Sequence, residues 1–83
     1  MAKNNAPTKT ELKILRFLAD NDKSFGLAIC KATKIFRGSI YVLLARTENK
    51  GLIVSHLEDN PADDYKGIPR RLYCLTDEGR KFL

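Results

Sequence analysis

The chain has 83 residues, of which 43% are apolar and 30% charged, and a formal net charge of +5 at pH 7. That is the size of one small domain, whose burial only modestly outweighs the entropy of ordering it, and its composition excludes a disordered chain. No apolar run approaches the ~20 residues of a membrane span and no signal-peptide pattern opens the chain, so a cytoplasmic protein without membrane contact is expected.

Residues 1–7 lack hydrophobic periodicity and read as a flexible N-terminal arm, mildly basic through Lys3. Residues 8–83 read as the folded domain. Thr8-Lys9-Thr10-Glu11 fits a capping box, in which the Thr8 hydroxyl and the Glu11 carboxylate each accept from a backbone N–H at a helix start. The spacing predicts a helix from Lys9 that buries Leu12, Ile14, Leu15, Leu18 and Ala19, turns Lys9, Lys13, Arg16 and Asp20 to water, and stops in Asp20-Asn21-Asp22. Ser24 reads as the N-cap of a second, shorter helix burying Phe25, Ala28, Ile29 and Ala32. Gly26 weakens that helix by up to ~1 kcal/mol relative to Ala, so packing must hold it.

The stretch Arg37 to Ile53 carries the most information. Ile40, Leu43, Leu44 and Thr47 recur at i, i+3, i+4 and i+7 and predict one buried face. The opposite face holds Gly38, Val42, Ala45 and Asn49, flanked by Ser39, Tyr41 and Arg46, and its one acid is the off-centre Glu48. A merely solvated face is more often laced with Glu and Lys pairs. Gly51 stops the helix as a left-handed C′ residue. Leu52 to Leu57 and Arg71 to Leu75 read as the strands of a hairpin with a long tip, Asn60-Pro61 through Pro69 as its loop. Both strands are apolar on both faces, so the inward side of each stays open. Thr76 fits the N-cap of a last short helix with Asp77 and Glu78 in its first turn. The expected core draws on Leu12, Leu15, Leu18, Ala28, Ile29, Ile40, Leu43, Leu44 and Leu52.

Charge is unevenly placed. Lys31, Lys34, Arg37, Arg46 and Lys50 stand against the single acid Glu48, Lys66, Arg70 and Arg71 form a second basic group, and Glu58, Asp59, Asp63 and Asp64 lie between the two. A basic balance favours an anionic partner, and a small-residue helix face with flanking Arg suits the DNA major groove. Arg37, Ser39, Val42 and Arg46 are the candidate base readers, with Lys34 beside them: Arg can donate twice to guanine, and Val can meet a thymine methyl. Tyr41 either reaches a phosphate or packs at the helix edge. Lys66, Arg70 and Arg71 either contact phosphate or are solvated hairpin charges. The acidic segment is either a solvated loop or a protein-binding patch, and His56 is a structurally accommodated strand residue.

Cys30 and Cys74 lie far apart with no CxxC and no His/Cys cluster, so free buried thiols are expected in place of a disulfide or a metal site. No nucleophile stands near a base, and no phosphate-cradling Gly loop or metal-ligand spacing occurs. An enzyme is therefore not expected, nor a cofactor. The competing class is the same arrangement of helices and hairpin used for protein–protein contact without DNA binding, with RNA binding a distant third.

Three helices followed by a hairpin describe an α+β winged helix-turn-helix. Within it, Gly38-Ser39-Ile40-Tyr41-x-x-Leu44, Glu48-x-x-Gly51-Leu52-Ile53 and Gly67-x-Pro69-Arg70-Arg71-x-Tyr73-x-Leu75-Thr76-x-x-Gly79 resemble the PadR-like transcriptional regulators over roughly Ser24 to Leu83. The Gly-Leu-Ile exit and the Leu-Thr-x-x-Gly ending are common to many winged helices, such as the MarR type. The Gly-Ser-Ile-Tyr element and the basic, Pro-containing approach to Tyr73 are more specific. The resemblance implies a cytoplasmic regulator binding double-stranded DNA, with the third helix in the major groove and the wing on flanking backbone. Phe36 stands where a capping Ser or Thr is common, Thr47 where Leu is usual, and Ile68 where a basic residue is usual. Such proteins usually dimerise through a C-terminal helical region, and only Thr76 to Leu83 follows the hairpin, so any homodimer is expected to be weak or formed on DNA.

Overall fold

The computed structural model describes residues 6–58 and 70–83. The capping box forms as the spacing predicts. Glu11 N–H donates to the Thr8 hydroxyl at 3.1 Å and Thr8 N–H donates to the Glu11 carboxylate at 2.9 Å. Helix α1 runs Lys9–Asp20 and closes on Asn21, whose backbone and side-chain N–H groups both donate to the Phe17 carbonyl. Its buried side chains are Glu11, Ile14, Leu15 and Leu18. Leu12 is partly buried and packs against the core, whereas Ala19 is exposed, contrary to the expected stripe, because the core-facing line runs through Glu11 and Leu15.

Ser24 is not a helix cap. Ser24–Phe25 form a two-residue strand, β1, that pairs antiparallel with Arg71–Leu75, Ser24 facing Tyr73 and Phe25 facing Leu72. Helix α2 (Gly26–Thr33) therefore starts one residue later, with Phe25 as an N-cap that makes no side-chain bond. The shift turns a different face inward. Gly26, Ile29 and Cys30 are buried, whereas Ala28 and Ala32 are exposed, so Ala28 leaves the expected core. Lys34 closes α2 at φ 61°, and the turn is stitched by Thr33 Oγ1 to the Ile29 carbonyl and Cys30 Sγ to the Ile35 carbonyl. Cys30 is buried and Cys74 half-buried, and both are free.

Helix α3 (Arg37–Asn49) buries Ile40, Leu44 and Thr47, with Leu43 packed at the edge, as its periodicity predicts. Thr47 substitutes for an apolar residue without an unsatisfied hydroxyl, since its Oγ1 donates to the Leu43 carbonyl at 2.6 Å. Gly51 follows the Lys50 C-cap at φ +79°, a conformation that side-chain-bearing residues rarely adopt. The chain then enters β2 (Ile53–Leu57), paired with β3 (Arg71–Leu75) from Ile53↔Leu75 to Leu57↔Arg71. The sheet order is β1-β3-β2, and a last turn of helix, α4 (Asp77–Arg80), is capped by Thr76 Oγ1. The fold is a winged helix, with Ile14, Leu15 and Leu18 of α1 meeting Ile29, Ile40, Leu44, Leu52, Ile53 and Tyr73 in one core. Burying a Leu or Ile side chain is worth ~1.5–3 kcal/mol, so these few residues carry most of the stability of so small a domain. Residues 1–5 of the expected arm 1–7, the hairpin tip and the acids Asp59, Asp63 and Asp64 lie outside the described residues.

Candidate nucleic-acid interface

With Ile40, Leu44 and Thr47 buried, the rest of α3 follows from a step of about 100° per residue. Gly38, Val42, Ala45 and Asn49 take the outward centre, and all four are exposed. Ser39 and Arg46, seven residues apart, share one shoulder; Arg37 and Tyr41, four apart, share the other. All four are exposed, Tyr41 at 57%, and Val42 between them at 59%. The structure thus divides the candidate readers between two edges of one face. Arg37 and Arg46 are on opposite edges, a separation that composition alone does not give.

The Tyr41 shoulder leans towards α2. A Cβ at Gly26 would come within 2.8 Å of the Tyr41 ring, so the absence of a side chain there is what lets the ring approach. Beyond it opens a groove of about 460 Å³ walled by Phe25, Leu27, Tyr41 and Tyr73 and rimmed by Lys31 and Arg71. The Arg46 shoulder leans towards α1. There Lys50 Nζ forms an ion pair with Glu11 at 2.5 Å and donates to the Ala6 carbonyl at 3.2 Å. Burial raises the Glu11 pKa, but the bond from Lys50, the Thr8 N–H and the charges of Lys50 and Arg46 outweigh it, and the net shift is downward. Lys50, one of the basic residues around α3, is therefore occupied within the fold. Glu11 Oε2 is buried and has no hydrogen-bond partner among the described residues.

The wing is tied to α3 through Glu48. Ser55 N–H and hydroxyl both donate to the Glu48 carboxylate, and Arg71 Nη1 donates to Ser55 Oγ at 3.0 Å. Arg71 is exposed at the start of β3. Arg70 differs in kind. Its guanidinium donates to both Glu58 oxygens, at 2.9 and 3.4 Å, and lies 3.7 Å over the Phe25 ring. The bond from Arg70 is the main reason the Glu58 pKa falls below its ordinary value. Arg70 thus braces the neck of the hairpin against β1. Lys34 is exposed at the turn before α3, His56 is exposed on β2, and Lys66 lies outside the described residues. The Arg70–Glu58 pairing and the Glu48–Ser55–Arg71 relay have no signal in the linear sequence, because both depend on the strand register.

Residues 14–83 match the model of the transcriptional regulator PadR-like family. The chain is 34% identical over 76 residues to the transcriptional regulator HosA of Escherichia coli O111:H-, an alignment covering 92% of this chain and 52% of that protein. It therefore spans about half the length of that curated relative. Among solved structures it resembles a PadR family transcription regulator from hypervirulent Clostridium difficile R20291, with TM-score 0.76 and 30% identity over 92% of this chain and 80% of the other. It also resembles MepR in the S. aureus MepR–DNA complex, with TM-score 0.73 and 26% identity over 92% of this chain and 58% of the other.

Proposed function

The chain belongs to the PadR-like family of transcriptional regulators, and from that membership we propose that it is a cytoplasmic, sequence-specific regulator that binds double-stranded DNA through α3 and the wing. The observation that carries this reading is the outer face of α3. Its centre is Gly38, Val42, Ala45 and Asn49, small enough to let the helix backbone approach the floor of a major groove, and its exposed shoulders carry Arg37 and Tyr41 on one side and Ser39 and Arg46 on the other. Ser39, Val42 and Arg46 read base edges together with Arg37, Tyr41 reaches backbone phosphate, and Lys34 neutralises phosphate at the turn before the helix. Arg71, bonded to Ser55, meets the flanking backbone, and Lys66, outside the described residues, adds its charge to the attraction for phosphate. Arg70 positions the hairpin through Glu58 and Phe25 and adds its charge to the same flank. Two copies, weakly associated or meeting only on DNA, would occupy half-sites about one helical turn apart.

Selection of bound sequences from a random duplex pool, followed by titration of the selected duplex at several salt concentrations, tests the proposal. The expected result is an enriched sequence and a log affinity that falls with log salt at about 0.9 for each phosphate contacted. No enrichment, together with a salt-tolerant complex with one protein, would replace the DNA reading with that of a protein-binding module.

A further inference from the structure

Phe36 is 77% exposed, more than any other large apolar side chain among the described residues. It stands at the N-cap of α3 and makes no side-chain cap bond, at a position where Ser, Thr, Asp or Asn would satisfy a backbone N–H. Neither local helix stability nor burial accounts for a phenyl ring there. The ring nonetheless has a defined seat. A Cβ at Gly38 would come within 2.6 Å of ring atom Cε2 and 3.2 Å of Cδ2, so the ring lies against the first turn of α3 in space that only glycine leaves open. Its neighbours along the chain are cationic. Lys34 and Arg37 stand on either side, and from Lys23 to Thr47 the chain has no acidic residue.

We propose that Phe36 is a specificity-determining residue that packs against the 5-methyl group of a thymine in the major groove. The inference rests on the DNA-binding reading above and adds to it a residue and a base. Recognition helices of this kind contact base edges with their N-terminal residues, which is the end that Phe36 occupies. The thymine methyl is the one apolar group a major groove presents, and Phe is among the side chains suited to it. The positive charge on both sides fits a polyanion better than an apolar protein surface. Val42 lies six residues farther on, about 9 Å along the helix axis, so the two apolar contacts fall on different bases.

The test is a scan of the selected duplex in which each thymine in turn becomes deoxyuridine, which lacks only the 5-methyl. The 83-residue chain should lose about fourfold in affinity, the worth of one buried methyl group, at the thymine opposite Phe36. Phe36→Ala should lose that penalty and keep the penalties elsewhere, with its melting temperature unchanged because the ring is exposed. Gly38→Ala, which displaces the ring without removing it, should lose the same penalty. A parent chain that enriches no sequence removes the DNA-binding reading itself. A parent chain that does, with a Phe36→Ala variant that retains every deoxyuridine penalty, overturns the role of Phe36 alone.

Discussion

Arg46, Arg70 and Arg71 carry the same guanidinium, but their surroundings divide the work. Arg46 sits exposed on the Ser39 shoulder of α3, where a planar group with five donors can address a base edge. Arg71, at the start of β3, is anchored at one nitrogen by Ser55, and Arg70 is committed to Glu58 and the Phe25 ring. Under the proposed mode of binding, Arg46→Ala should weaken the selected duplex by ~1–3 kcal/mol and barely change binding to random DNA. Arg71→Ala should weaken both duplexes alike and reduce the slope of log affinity against log salt by ~0.9. Paired titrations on specific and random duplexes separate the two. Equal losses on both duplexes for Arg46→Ala would mean that it holds backbone and reads no base.

At the scale of elements, α1 and the end of α3 are fastened by one ion pair, Glu11 with Lys50. The Glu11 side chain is fully buried and Lys50 is 19% exposed, so the pair is worth more as a unit than either half alone. Its pH dependence has a definite sign. The Glu11 pKa is lowered in the folded state, so the stabilisation is fully present above the unfolded value of about 4.3 and is lost as pH falls through the folded value. Lys50→Met leaves a buried carboxylate without its cation and should cost about 3 kcal/mol at neutral pH. The gap between variant and parent should narrow as pH falls below the unfolded value towards the lowered folded value of Glu11, where the protonated carboxyl no longer needs the ammonium. Denaturant melts of both proteins across this range give the answer, and a gap that stays constant into acid would mean that the pair does not couple α1 to α3.

Across the whole molecule, what was legible in advance was what neighbouring residues decide among themselves. Thr8 and Glu11 are three residues apart and announce their own capping box. Ile40, Leu44 and Thr47 declare the buried side of α3, and with it the exposed side that forms the candidate interface. Gly51 marks the exit by its fitness for positive φ. What stayed hidden depends on partners distant in the chain. Strand β1 has only two residues and exists because Ser24 and Phe25 meet Tyr73 and Leu72; two residues have no periodicity to read, so Ser24 looks like a helix cap. Once that strand forms, α2 begins at Gly26, and Ala28 and Ala32 turn outward. The inward faces of β2 and β3 follow from their register, which also sets Arg70 beside Glu58. Lys50 finds Glu11 across 39 residues, and in the sequence it is one more basic residue beside α3.

The central claim is that the outward centre of α3 lies in a DNA groove, and Val42 occupies that centre with 59% of its surface exposed. The most direct measurement is the affinity of Val42→Glu for the selected duplex beside that of the parent, with thermal melts of both. Val42 is mostly exposed and outside the core cluster, so the melt should hold to within about 0.5 kcal/mol. Facing the anionic groove, it should weaken binding by about a hundredfold or more. A Val42→Glu variant that melts like the parent and binds the duplex as tightly would contradict the placement of α3 in the groove.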